Sequence, residues 1–73
     1  GALGTLEVEV RWMLPGDDGL KHVKRFPNRN LKLALLRYRQ VTKRAEEADL
    51  FKVSDGNTVG FYALSGKWES LDG

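Results

Sequence analysis

The stretch TLEVEVRWML, residues 5–14, limits the folds open to this chain more than any other segment. Its apolar side chains alternate with charged ones, so that one side carries Leu6, Val8, Val10 and Trp12. The other side carries Glu7, Glu9 and Arg11. This period of two is typical of a β-strand with one buried face. A sheet with such a strand needs a second layer over its apolar side, and the rest of the chain has to supply that layer.

A second strand is predicted directly after a turn. Residues 15–19, PGDDG, combine a proline with two glycines, which is the composition of a hairpin loop. The following residues 20–26, LKHVKRF, form a weakly apolar and strongly basic strand that ends at Pro27. Lysines discourage pairing with other chains, so this strand suits the edge of a sheet.

The last third of the chain predicts another hairpin. The tripeptide DGN at residues 55–57 separates the β-rich runs LFKVS and TVGFYAL, which indicates a tight turn between two strands. The dipeptide SG at residues 65 and 66 indicates a further turn. After it, KWES at residues 67–70 either adds a short fifth strand or places Trp68 over the core.

Between the hairpins, residues 30–50 have the apolar spacing of one amphipathic helix, with Asn28 or Asn30 as its N-terminal cap. At about 100° per residue, the stripe that faces the sheet contains Leu31, Ala34, Leu35, Tyr38, Val41, Ala45 and Ala48. Tyr38 is therefore expected in the core. The outward side carries Lys32, Leu33, Leu36, Arg39, Gln40, Lys43 and Arg44.

The element order ββαββ predicts a single α+β domain over residues 1–73, with a flexible N-terminus at residues 1–4. One helix packed across an antiparallel or mixed sheet of four strands, or five with a short last strand, is the natural two-layer arrangement. In element order alone, it resembles the β-grasp arrangement of ubiquitin-like domains. Fold does not fix function, so the function has to be argued from particular residues.

Composition leaves little room for catalysis. The chain has no cysteine and a single histidine, His22, which lies in a basic strand and is expected to be an ordinary surface residue. Metal-ligand clusters and phosphate-binding glycine motifs are absent from the sequence, so neither a metal nor a cofactor is expected. No apolar stretch is long enough to cross a bilayer and no signal peptide is evident, which favours a cytoplasmic binding protein without membrane contact.

Positive charge is concentrated in the middle of the chain. Nine lysines and arginines and no acidic residue lie between residues 21 and 44, although the net charge is only +2. We therefore predict a nucleic-acid surface, for DNA or RNA phosphates, formed by Lys21, Lys24, Arg25, Arg29, Lys32, Arg39 and Lys43. Tyr62 could add a ring for base stacking, with cross-strand packing as the simpler role. Within a helix ending at residue 50, basic residues at the start and Glu46, Glu47 and Asp49 at the end would oppose the helix dipole.

The second hypothesis concerns two leucines on the outward side of the helix. Leu33, Leu36 and Gln40 would form a contact surface for an acidic protein or a second copy of the chain, because apolar residues rimmed by charge are typical of interfaces. Alternatively, Trp68 or Leu71 covers the leucines, or they are simply tolerated at the surface. The sequence slightly favours nucleic acid over protein as the partner.

Overall fold

The computed structural model describes residues 6–62 and 67–70. The elements in chain order are β1 (Leu6–Met13), β2 (His22–Pro27), a 3-10 turn (Asn28–Asn30), α1 (Leu31–Thr42), β3 (Glu47–Ser54), β4 (Asn57–Tyr62) and β5 (Trp68–Ser70). The flexible N-terminus predicted at residues 1–4 and the turn predicted at residues 65 and 66 lie outside the described residues, as does Leu71.

The strands form one sheet in the order β2-β1-β3-β4-β5, and every pairing is antiparallel. The α+β class, the packed helix and the short fifth strand at KWES are confirmed. The sequence allowed either an antiparallel or a mixed sheet, and the observed sheet is antiparallel. Because β1 lies between β2 and β3, the segment containing α1 crosses over β1 to connect them, and α1 contacts all three strands.

The helix is shorter than predicted. α1 ends at Thr42, and the backbone amides of Arg44 and Ala45 both donate to the Val41 carbonyl as the chain turns away. Residues 47–50 then start β3, which pairs with β1 as far as Glu47 opposite Met13. A helix reaching residue 50 would leave the second half of β1 without this partner. Backbone pairing with the central strand therefore overrides the helical spacing of Ala45 and Ala48.

Local turn chemistry behaves as the sequence indicates. Asp55 and Gly56 both have positive φ, at 51° and 82°. A two-residue hairpin turn requires positive φ at these positions so that its twist matches the right-handed twist of the two strands. In the β1–β2 loop, the Asp17 carboxylate accepts a hydrogen bond from the Leu14 amide at 2.7 Å. The predicted N-terminal cap of the helix is found only in part. Asn30 occupies the cap position of α1, but its side chain makes no capping hydrogen bond.

The core lies between α1 and the middle of the sheet. Its fully buried residues are Val8, Val10, Ala34, Val41 and Leu50. Burying each of the larger ones contributes about 1.5–3 kcal/mol, so this small core depends on the partly buried residues around it. Tyr38 is one of these, as predicted. Its ring meets Tyr62 edge to face, and Tyr62 meets Trp68 in the same way, which extends the apolar layer towards β5.

Candidate interaction surface

The outward side of α1 exposes both apolar and positively charged side chains. We call it the docking face, and it consists of Leu33, Leu36 and Gln40 with the surrounding Lys32, Arg37, Arg39 and Lys43, the last of these being the residue that caps α1. All seven are exposed. Ala34 and Val41 point the opposite way into the core, and this fixes the direction of the docking face away from the sheet.

The two leucines remain in contact with solvent. Leu33 and Leu36 are each 53% exposed, and they are neighbours because residues three apart lie on the same side of a helix. Trp68, one of the two covers proposed from the sequence, instead packs against Tyr62 and lies under the Lys52 ammonium, 4.7 Å from the ring centre. The other proposed cover, Leu71, is outside the described residues.

The positive charge of the helical segment is not offset by acids along the chain. Between residues 29 and 44 the sequence has six lysines and arginines and no aspartate or glutamate. All six are exposed, and within the described ranges none lies within 4.0 Å of a carboxylate oxygen. The members are Arg29, Lys32, Arg37, Arg39, Lys43 and Arg44. The helix therefore presents concentrated positive charge around two leucines.

The cations of the second strand are in a different situation. The Lys21 ammonium lies 3.2 Å from a carboxylate oxygen of Glu47, and the Arg25 guanidinium lies 2.6 Å from one of Glu9. Lys24 points to the helix side of the sheet, because it pairs with the buried Val10. The seven residues predicted to bind phosphate thus separate into two groups. Arg29, Lys32, Arg39 and Lys43 belong to the helical segment, and two of the three strand residues have acidic partners within the fold.

Glu9 is a residue whose burial the sequence did not predict. It is on the side of the sheet away from the helix, yet it is only 2% exposed. In register it lies between Arg25 on β2 and Phe51 on β3, and Arg11 also donates to its carboxylate. The Arg11 guanidinium stacks on the Phe51 ring at 4.3 Å. The exposed side of a central strand is covered in this way by long side chains of its neighbours.

The electrostatics of Glu9 follow from these contacts. Burial by itself raises the pKa of the Glu9 carboxyl, but hydrogen bonds and charge from Arg25 and Arg11 outweigh burial and hold that pKa below its usual value. The same contact raises the pKa of Arg25. Glu9 is therefore ionised at neutral pH. It holds Arg11 and also Arg25, which the sequence had assigned to phosphate binding.

One other sequence prediction changes in the structure. Because α1 ends at Thr42, its last turn contains Arg39 and is followed by Lys43, which is the favourable arrangement for the helix dipole. The prediction that acidic residues occupy the last turn of the helix is therefore wrong, since Glu47 belongs to β3. The first turn still has no acid and includes Lys32.

The aromatic and histidine side chains have structural contacts. Tyr62 packs towards the helix against Tyr38 and Trp68, which is the cross-strand packing role and not a stacking platform on the far side of the sheet. His22 stacks on Trp12 with ring centres 5.4 Å apart, and its Nε2 lies 3.1 Å from Asp17.

Another exposed apolar residue, Leu20, lies at one end of the sheet, in a segment that also contains acidic residues. Here the β1–β2 loop meets the start of β3, and the Glu46 amide donates to the Met13 carbonyl at 2.8 Å. We call this region the acidic end, defined by Asp17, Asp18, Leu20, Glu46 and Glu47. Leu20 is 75% exposed, the highest value among the large apolar residues with described side chains. The sequence gives a signal for it, because Leu20 directly follows the turn PGDDG.

Within residues 6–62 and 67–70, no group of three or more histidine and acidic side chains is arranged to hold a metal ion. The helices of the same ranges are too short and too polar to span a bilayer. Comparison with known proteins adds no assignment, since no family model, curated protein or solved structure matches this chain.

Proposed function

We propose that this protein is a non-catalytic binding domain that uses the docking face of α1 to bind an acidic, partly apolar protein surface. The observation that carries the proposal is the pair Leu33 and Leu36, each half exposed inside a rim of cations that have no acidic partner among the described residues. Apolar side chains in a polar rim are the usual composition of a protein interface. Burying the exposed halves of both leucines would contribute about 2–3 kcal/mol.

The charge of the docking face also limits the kind of partner. A two-fold contact between two docking faces would bring together four cations from each copy: Lys32, Arg37, Arg39 and Lys43. Like charges across an interface are unfavourable, so a symmetric homodimer through this face is disfavoured. A partner with carboxylates beside apolar side chains would satisfy both components of the surface.

Nucleic acid is the second candidate, and the six exposed cations between residues 29 and 44 favour it. Phosphates of DNA or RNA could contact Arg29, Lys32, Arg39 and Lys43 without sequence preference. Two features weigh against it. Lys21 and Arg25 already contact acidic side chains of the same chain, and the residues outside 29–44 carry a net charge of −4, which repels a polyanion.

A synthetic peptide tests the proposal directly. The probe is a labelled amphipathic helix with leucines on one side and glutamates beside them, and its binding is measured by fluorescence anisotropy from 50 to 500 mM salt. Leu33→Ser with Leu36→Ser is expected to weaken binding by about 30- to 100-fold. Arg39→Glu is also expected to weaken it, whereas the matched control Lys67→Glu, an exposed residue outside the docking face, leaves it unchanged.

Matched probes separate the two candidates. A peptide with serines in place of its leucines is expected to bind weakly, because it keeps the charge but loses the apolar contact. Duplex DNA and single-stranded RNA are titrated over the same salt range. Binding to nucleic acid that falls steeply with salt and is insensitive to the Leu33 and Leu36 substitutions would support the second candidate. Equal affinity for the leucine and serine peptides would refute protein docking through this face.

A further inference from the structure

The charge of this chain is divided between two regions. Residues 29–44 carry six cations and no acid, and the rest of the chain carries six cations and ten acidic residues. Several of those acids gather at the acidic end, where Asp18 and Glu46 are exposed and have no ion-pair contact within the described part of the chain. One molecule therefore presents both a basic and an acidic surface.

Both regions also expose leucine. The docking face has Leu33 and Leu36, and the acidic end has Leu20, whose backbone amide donates to the carbonyl of Asp17. Two cations lie close to this region in the chain: Lys21, whose ammonium contacts Glu47, and Arg44, two residues before Glu46. The acidic end thus has the composition that the docking face requires of a partner, namely carboxylates beside an apolar side chain.

We propose that the docking face of one copy binds the acidic end of a second copy, in a head-to-tail contact. This inference rests on the proposed function and names the partner of the same site. Leu20 of one copy lies against Leu33 and Leu36 of the next, and Asp18 and Glu46 approach the cations of its helix. The contact joins opposite charges, whereas a two-fold contact through either region would join like charges.

The two regions lie on different elements of the fold, although only Arg44 and Ala45 separate Lys43 of the docking face from Glu46 of the acidic end. The docking face is on the side of α1 away from the sheet, and the acidic end is where β1 ends and β3 begins. In the proposed contact each copy contributes one region and keeps its other region free. A head-to-tail contact of this kind does not stop at two copies, and it continues into rings or open chains. Association should accordingly proceed beyond the dimer as the protein concentration rises, and it should weaken as salt rises.

Complementation between two variants tests the head-to-tail geometry. The helix variant combines Leu36→Asp with Arg39→Glu, and the acidic-end variant combines Asp18→Lys with Glu46→Lys. Sedimentation velocity at 50 mM salt is expected to show each variant alone as a monomer. An equimolar mixture is expected to give a dimer and nothing larger, because each variant keeps one of the two surfaces. Circular dichroism of both variants checks that they remain folded.

Further measurements complete the test. Leu20→Ser, which changes no charge, is expected to weaken association of the wild type about tenfold. The matched charge changes Lys67→Glu and Glu69→Lys lie outside both regions and are expected to have no effect.

Two outcomes would overturn the inference. One is an acidic-end variant that associates as the wild type does. The other is a wild type that stays monomeric at millimolar concentration. If that monomer still binds the leucine and glutamate peptide, the head-to-tail contact is wrong and the proposed function stands. If the monomer does not bind the peptide either, the head-to-tail contact and the proposed function are both wrong.

Discussion

Replacing Glu9 with glutamine tests how the far side of the sheet is held together. The carboxylate is 2% exposed and accepts hydrogen bonds from Arg11 and Arg25. Glutamine has nearly the same shape but offers only one acceptor oxygen. Its NH2 group would face the guanidinium of one arginine, and because both groups are donors that hydrogen bond is lost. A hydrogen bond to a charged group contributes about 1.5–3 kcal/mol. Because both arginines are partly exposed and can regain water, we expect Glu9→Gln to lower the free energy of unfolding by about 2 kcal/mol at pH 7.

The assay is thermal unfolding followed by circular dichroism. For a domain of this size, about 2 kcal/mol corresponds to a Tm lower by roughly 8–16 °C. The pH dependence has a defined sign, because the folded pKa of Glu9 is lowered from 4.5. Its stabilising contribution is complete above that value and is lost as the pH falls through the lowered folded pKa. The gap between wild type and variant should therefore shrink in acid.

Two results would refute this reasoning. Equal Tm values at pH 7 would mean that the arginines gain nothing from the charge of Glu9. A gap of the same size at pH 7 and pH 2 would mean that the variant is destabilised by packing and not by loss of a carboxylate. Glu69→Gln is the matched control, because Glu69 is exposed and should give no change at either pH.

Three further outcomes are expected from single features of the fold. A side chain at Gly60 would place its Cβ 3.0 Å from the Glu69 carbonyl oxygen, so Gly60→Ala should loosen β5 and speed hydrogen exchange of its amides, and unchanged exchange would contradict this. Burial, together with the charges of Asp49 and Tyr62, raises the pKa of Tyr38. The free energy of unfolding should therefore decline above pH 10, and urea titrations should show a smaller decline for Tyr38→Phe. Leu36→Ser should change the free energy of unfolding by less than about 0.5 kcal/mol, and a larger loss would show that the leucine is part of the core.

The sequence predicted the parts of the fold that depend on local chemistry. Alternation placed Val8 and Val10 on the buried side of β1, and DGN gave a hairpin turn with positive φ at Asp55 and Gly56. These features follow from side-chain direction along a strand and from the backbone freedom of particular residues. They need no knowledge of the rest of the chain.

The sequence could not predict the features that depend on which strands are neighbours. The end of α1 at Thr42 is set by the pairing of β3 with β1, and the residues after it fit a helical stripe equally well. In the same way, Arg25 looked available to a partner until the register placed it beside Glu9. The exposure of Leu33 and Leu36 was predictable because it follows from the spacing of residues within one helix.

A concentration series of amide spectra by two-dimensional NMR is the most direct test of the docking face. Between about 50 μM and 2 mM at low salt, cross-peaks of Leu33, Leu36 and Gln40 should move together with those of Asp18 and Leu20. Peaks from the far side of the sheet should stay fixed. Spectra in which the outward side of α1 is unchanged at every concentration, and also on addition of the leucine and glutamate peptide, would contradict the assignment of that surface to protein binding.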